Sequence, residues 1–220
     1  EKYQFYLLTL DSNISEILNM EYVPTHTYRN AAAVLALQKL FSIYYYSAGF
    51  TLNEFSLDID AAARYDLFSL QCFSNENIQF YSTGKLTRTE KLKELVHYKP
   101  AQENLYVCTR DKSNCSRCEK CIRTMLVLYT LNQLEIFRNV FDIEYFYKNK
   151  NKFLGMMLAY KGSNVFYKQI YEEMRKNNIF PSIKAFGYFP FYKVVVIDRN
   201  LKKSLIKNNV VKSIYTSLNR

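Results

Sequence analysis

The chain has 220 residues, of which 49% are hydrophobic and 16% aromatic, so it can fill a folded core and is not intrinsically disordered. Its 5 Gly and 4 Pro are too few for a β-sandwich built from many tight turns. No apolar stretch is long enough and free enough of charge to span a membrane. The formal net charge of +10 is unevenly placed, because residues 147–220 carry 15 Lys and Arg against 3 Asp and Glu.

The first part of the chain alternates predicted strands and helices. Residues 3–10 form a short apolar run bounded by polar residues, which is typical of a buried strand. A short helix is predicted over 14–20, and a long apolar helix over 29–45, ended by Gly49. Residues 77–82 alternate between apolar and polar side chains, which indicates another strand.

The alternation continues with a helix over 88–96, a short strand over 104–107 and a helix over 119–138. This order of elements predicts an α/β domain of three layers with a mostly parallel sheet. We assign that domain to residues 1–146.

The composition changes after residue 146, where a run of Lys and Asn begins. We assign residues 147–220 to a separate basic C-terminal extension of α+β type. Its predicted elements are two helices, a β-branched strand and a terminal amphipathic segment: 153–160, 165–176, 193–197 and 201–218.

Four of the five cysteines fall in the pattern C-x6-C-x2-C-x2-C and are Cys108, Cys115, Cys118 and Cys121. Such spacing lets several thiolates converge on one metal ion. A disulfide framework would spread its cysteines along the chain, so the clustering indicates a metal site and a reducing compartment, which we take to be the cytoplasm. The turn residues Asn114 and Ser116 suit a loop whose backbone N–H groups point at the sulfurs.

Zinc and an iron–sulfur cluster are the two candidate metal centres. Zinc favours a closed tetrahedral set of four thiolates, with one ion per chain. Ferredoxins also contain C-x2-C-x2-C, but they add a fourth Cys after three intervening residues, followed by Pro, and here that position is Met125. We therefore favour zinc and keep iron–sulfur as the alternative.

The segment Asn114-Cys-x2-Cys-Glu-Lys-Cys-Ile-Arg-Thr-Met125 resembles the cysteine-rich part of the PP-loop ATP pyrophosphatases, the family of cyano-deazaguanine synthase in the queuosine pathway. Upstream, Ser82-Thr-Gly-x2-Thr-Arg-x-Glu-Lys91 is similar to a stretch that precedes the cysteines in that family. The resemblance implies a Rossmann-like fold of the adenine-nucleotide α-hydrolase type and a structural zinc ion. It also implies ligase-like chemistry, in which ATP adenylylates a carboxylate or carbonyl oxygen of the substrate and a nitrogen or sulfur group then replaces that oxygen.

One motif of that family is missing from this sequence. The family binds the pyrophosphate of ATP on a Ser-Gly-Gly-x-Asp-Ser loop, and this chain has no Gly-Gly pair. The loop lies before Glu1 in a longer protein, or a separate chain supplies it, or the activity is lost. ATP and Mg²⁺ are expected only where the loop is supplied, so whether the chain is an enzyme stays open and no catalytic residue is assigned.

Arg88 and Lys91 lie three residues apart at the start of a predicted helix. The family resemblance implies that this pair contacts a nucleotide or another substrate. The alternative is that both cations lie on a solvated helix face.

The second functional hypothesis is a non-enzymatic zinc module. In this reading the basic residues 147–220 bind nucleic acid or an acidic protein. The competing explanation for the charge is a general enrichment of the chain in Lys and Asn.

Overall fold

The computed structural model describes residue 6 and residues 8–57 and 61–207. By internal contacts the chain divides into unit 1, Glu1–Lys91, and unit 2, Leu92–Arg220. Residues 146 and 147, between which the sequence analysis placed a domain boundary, both lie within the helix Ile143–Tyr160. None of the helices in the described part of the chain combines the length and apolar character needed to cross a membrane.

Unit 1 contains two short strands, β1 (Ile43–Tyr46) and β2 (Gln79–Ser82), which pair in parallel from Ile43 opposite Gln79 to Tyr46 opposite Ser82. Parallel strands need a crossover connection, and here a helix lies within it. The helices of this unit are α1 (Ile14–Leu18), α2 (Tyr22–Ala36) and α3 (Asp66–Phe73). Helix α4 (Arg88–Leu95) begins in unit 1 and ends in unit 2.

The core of unit 1 lies between β2 and the helices. Phe80 is 1% exposed and its ring meets that of Tyr44 edge to face, with centroids 5.7 Å apart. Ala31 and Val34 of α2 and Leu70 of α3 complete the buried cluster. The cluster is small, so unit 1 buries much less apolar surface than unit 2.

The described secondary structure of unit 2 consists of helices joined by loops. Its helices are α5 (Lys99–Asn104), α6 (Glu119–Thr130), α7 (Ile143–Tyr160), α8 (Val165–Lys176) and α9 (Ile183–Lys207). Helix α6 buries Met125, Leu126 and Leu128 completely, and these side chains join the apolar faces of α7 and α8 in one large core. The amphipathic pattern of α6 thus fixes the centre of the unit.

The predicted fold class is wrong. Of the described residues, 59% are helical and only 4% lie in strands, so a three-layer Rossmann-like α/β domain with a mostly parallel sheet is not formed. The two strands are the only ones in the described ranges, and the C-terminal residues 147–207 are helical and loop, not α+β.

Two local predictions account for much of this error. The helix predicted over 29–45 ends at Ala36, and Ile43–Tyr46 forms β1, because a run of three Tyr suits a paired strand better than a helix. The β-branched run 193–197 lies in α9, where Val196 is 4% exposed in the core, so tertiary packing overrides the strand propensity. Helix α9 also continues through Pro190, although proline usually breaks the interior of a helix.

Other predicted elements are confirmed or fall partly outside the described residues. The strand within 77–82 and the helices at 88–96 and 165–176 are confirmed to within two residues. The strand predicted over 104–107 is absent, since those residues end α5 and continue as loop. The predicted strand 3–10 lies partly outside the described residues, and its described part is not a strand. Residues 208–218 of the predicted amphipathic segment lie outside them as well.

Helices α7 and α9 approach closely at Gly155. A Cβ placed on Gly155 would lie 2.5 Å from the carbonyl oxygen of Ala185 and 2.6 Å from the Cβ of Tyr188. Backbone atoms cannot move aside as the end of a flexible side chain can, so only glycine permits this helix spacing.

We expect Gly155→Ala to lower the free energy of unfolding by about 1–3 kcal/mol or more, because the added methyl group forces the two helices apart. Gly187→Ala in α9 is the matched control, since its Cβ meets nothing within 4 Å. That change should instead stabilise the helix by about 0.5–1 kcal/mol. Denaturant unfolding of both variants tests the pair, and equal effects would contradict this packing.

Candidate metal centre

The four clustered cysteines come from a loop and from the start of helix α6. Cys108 follows α5 after a short loop, and Cys115 lies in the polar loop that precedes α6. Cys118 is the N-cap of α6, and Cys121 lies in its first turn. Because the last three cysteines span one turn and a helix start, local backbone geometry is enough to bring their sulfurs together.

The four Sγ atoms all lie within 4.8 Å of one another. The Sγ of Cys118 is 3.9 Å from that of Cys108 and 3.4 Å from that of Cys121. Tetrahedral coordination with metal–sulfur bonds of about 2.3 Å places sulfurs about 3.8 Å apart. The cluster can therefore hold a metal ion with little rearrangement, as predicted for these four residues.

Backbone N–H groups point at the sulfurs, as predicted for this loop. The N–H of Arg110 donates to Cys108 Sγ at 3.3 Å, and the N–H of Cys118 donates to Cys115 Sγ at 3.3 Å. The N–H of Cys121 donates to Cys118 Sγ at 3.5 Å, which caps α6 with a sulfur atom. Such bonds favour the thiolate over the thiol.

The thiols differ in their acidity. The N–H of Cys115 is the main cause that lowers the pKa of Cys108 to about 6, so this sulfur is ionised at neutral pH. Burial raises the pKa of Cys118, but hydrogen bonds from the N–H groups of Cys121 and Thr109 outweigh it and the net shift is downward. Burial raises the pKa of Cys121 strongly, and a cation among the sulfurs would reverse that effect.

Ser116 connects the cysteine loop to the start of α7. Its φ of 56° is in the left-handed region, which tightens the turn between Cys115 and Cys118. The residue is fully buried, and its Oγ accepts a hydrogen bond of 2.9 Å from the N–H of Asp142, the N-cap of α7. The loop and the helix therefore share one hydrogen bond in a buried position.

Asn114 holds three segments together. Its Oδ1 accepts from the N–H of Val107 at 2.9 Å, and its Nδ2 donates to the carbonyl oxygens of Leu105 at 2.7 Å and Val140 at 3.1 Å. The side chain thus joins the loop segment before Cys108 to the turn before α7. The sequence analysis assigned Asn114 to the turn but could not reveal the contact with Val140, which is 26 residues away.

The basic residues around the loop are exposed, where they can offset the negative charge of a metal–thiolate centre: Arg110, Lys112, Arg117 and Lys120. The guanidinium of Arg117 also lies 4.6 Å from the ring centroid of Tyr145 and 3.7 Å from Asp142 Oδ2. Asp142 was not predicted as part of the site. Its signal in the sequence was an N-cap pattern, an Asp followed two residues later by Glu144 in the first turn of α7.

Arg88 and Lys91, predicted to contact a nucleotide or substrate, lie in unit 1 and hold a loop. Lys91 Nζ donates to the carbonyl oxygen of Ala48 at 2.7 Å, and Arg88 Nε donates to that of Gly49 at 3.3 Å. Both carbonyls belong to the loop that follows β1. These contacts give the two cations a positioning role, and their contact with a ligand stays a prediction.

No known protein family, curated protein or solved structure matches this chain. The relationship to PP-loop ATP pyrophosphatases therefore stays a prediction, and the cysteine cluster must be interpreted from its own chemistry.

We expect Asn114→Ala to lower the free energy of unfolding by about 2 kcal/mol, because three hydrogen bonds are lost while all four sulfurs remain. Asn139→Ala is the control, since Asn139 is exposed and lies beside Val140 in the turn before α7, and its effect should stay within about 0.5 kcal/mol. Denaturant unfolding and the metal content of each variant test the role. Loss of the metal with unchanged stability would contradict it.

Proposed function

We propose that this chain binds one Zn²⁺ through Cys108, Cys115, Cys118 and Cys121, and that the ion is structural. The observation that carries the proposal is the closed set of four sulfurs within 4.8 Å of one another. Four thiolates fill the tetrahedral shell of zinc and leave no position for a substrate or a reactive water, which is typical of structural sites.

The contacts around the cluster support a stabilising role. The cysteine loop is joined to the start of α7 through Ser116 and Asn114, and it leads directly into α6, whose apolar face fills the core of unit 2. An ion that fixes the loop would therefore fix the beginnings of both helices. Reduced thiolates also need a reducing compartment, so a cytoplasmic location belongs to this proposal.

The environment of Met125 supports zinc over an iron–sulfur cluster. Met125 occupies the position at which ferredoxins carry a fourth cysteine, four residues after Cys121, and it is completely buried in the apolar core. A closed thiolate set without redox partners fits Zn²⁺, which has no redox chemistry.

We expect purified protein to contain about one zinc per chain. Cys118→Ser should abolish stoichiometric zinc binding. It should also lower the free energy of unfolding by on the order of 3 kcal/mol or more, because the free energy of metal binding no longer stabilises the folded state. Elemental analysis and denaturant unfolding measure the two effects.

The control for this experiment is Cys72→Ser, because Cys72 is an exposed free thiol outside the cluster. This variant should keep its zinc and its stability. Iron in the purified protein, together with visible absorption, would show that the site holds an iron–sulfur centre and not zinc. Equal stability of the metal-free and metal-loaded protein would overturn the structural role.

A second candidate is a distant relationship to the PP-loop ATP pyrophosphatases. One observation favours it: the upstream resembling segment begins at Ser82, the last residue of β2, at the carboxyl end of a parallel strand pair, and its Arg88 and Lys91 hold the loop after β1. Ligands of parallel sheets bind at that end of the strands. This candidate concerns the segment alone and does not restore the three-layer fold.

We expect the 220-residue chain to show no ATP–pyrophosphate exchange, because it has no Ser-Gly-Gly-x-Asp-Ser string to hold the pyrophosphate. Exchange is measured with radiolabelled pyrophosphate in the presence of Mg²⁺ and a panel of carboxylate acceptors. A rate that requires both ATP and the folded chain would contradict the expectation and favour an enzyme.

Binding of nucleic acid or an acidic protein through residues 147–220 is the remaining hypothesis. The charge of that part of the chain supports it, with 15 Lys and Arg against 3 Asp and Glu. Binding by this charge would fall steeply with salt concentration.

A further inference from the structure

A cavity of about 380 Å³ lies in unit 1, beyond the carboxyl ends of β1 and β2. Its volume is within the range of pockets that bind small molecules. The residues that matter to its chemistry are Phe50, Phe55, Arg64, Asp66, Ser82 and Lys85.

The walls of the cavity are held in place by the backbone. The N–H of Leu52 donates to the carbonyl oxygen of Gly84 at 3.2 Å, which joins the loop after β1 to the loop after β2. A Cβ on Gly84 would lie 3.0 Å from the carbonyl oxygen of Phe50, so the two loops approach as closely as a glycine allows. Together with the contacts of Lys91 and Arg88 to the first loop, these bonds give a preformed pocket.

Asp66, the first residue of α3, lines this cavity and is only 5% exposed. Its Oδ2 is buried and has no hydrogen-bond partner in the described part of the chain. A buried acceptor without a donor is costly and rare, and it commonly marks the place of a ligand or of an unobserved polar group. Burial also raises the pKa of Asp66 to about 6, while the N–H of Leu67, His26 and Lys91 act in the opposite direction.

The walls beside Asp66 include two aromatic side chains and two cations, Arg64 and the exposed Lys85. The guanidinium of Arg64 lies 4.2 Å from the ring centroid of Phe50 and donates to the carbonyl oxygen of Glu54 at 3.3 Å, so its charge is already engaged at the wall. Phe55 adds a second aromatic side chain. An aromatic pocket with one unpaired carboxyl oxygen matches a flat ring that carries N–H donors.

We propose that this cavity is a binding site for a small planar ligand bearing an amidine or a protonated amino group, whose N–H donors bond to the carboxylate of Asp66. Two parallel N–H bonds would satisfy Oδ2, and the positive charge of the ligand would favour the ionised carboxylate. The site is separate from the cysteine cluster, which lies wholly in unit 2.

Three probes of nearly one shape separate charge from size: benzamidine, benzamide and benzoate. We expect benzamidine to bind most tightly by isothermal titration, benzamide more weakly and benzoate not at all. Because only the ionised carboxylate pairs with the cation, the affinity for benzamidine should rise about tenfold between pH 5 and pH 7.

Asp66→Asn should remove both the preference for benzamidine and its pH dependence. This variant should fold at least as stably as the original chain at pH 7.5, because no charge is then buried there. Glu76→Gln removes an exposed carboxylate of the same unit and should leave binding unchanged. Equal benzamidine affinity in Asp66→Asn, tighter binding of benzoate, or no binding of any probe by the folded chain would overturn the proposal.

Discussion

The convergence of four sulfur atoms in one small volume is the constraint around which the loop before α6 is built. All four lie within 4.8 Å of one another, and two of them, Cys108 and Cys118, are biased toward the thiolate by backbone N–H groups. Burial pushes Cys121 the other way. A bound cation would resolve this conflict, since it would favour every thiolate at once. The loop would then fix the first turn of α6 and, through Ser116, the first turn of α7.

The cysteine cluster could be predicted from the sequence because its geometry is local. Cys115, Cys118 and Cys121 are brought together by one turn and one helix start, and Cys108 needs only a short loop to reach them. The residues that support the cluster depend on contacts distant in the chain. Asn114 reaches Val140, and the hydrogen bond of Ser116 to Asp142 spans 26 residues, so no spacing rule could reveal them.

The fold could be predicted less well, because propensity and tertiary packing disagree in both units. Residues 193–197 have strong strand propensity, yet α9 places Val196 in the core and approaches α7 at Gly155. The sequence pattern does not reveal that α7 and α9 approach each other closely at this single glycine. In unit 1 the apolar run of α2 looks continuous with Ile43–Tyr46, and the pairing of that segment with β2 decides its structure.

The cations of unit 1 show why residue type alone does not define a binding role. Arg88 and Lys91 suit phosphate recognition by charge and spacing, but each donates to a backbone carbonyl of the loop that follows β1. Burial and the neighbouring charge of Arg88 lower the pKa of Lys91, because both disfavour its charged form. The carbonyl oxygen of Ala48, which accepts from Nζ, favours that charged form. The atom left without a hydrogen-bond partner in the described part of the chain is instead Oδ2 of Asp66, a residue that the sequence did not single out. Where one buried carboxylate oxygen lacks a donor and the guanidinium of Arg64 is already bonded to the wall, the proposed ligand supplies the missing donor.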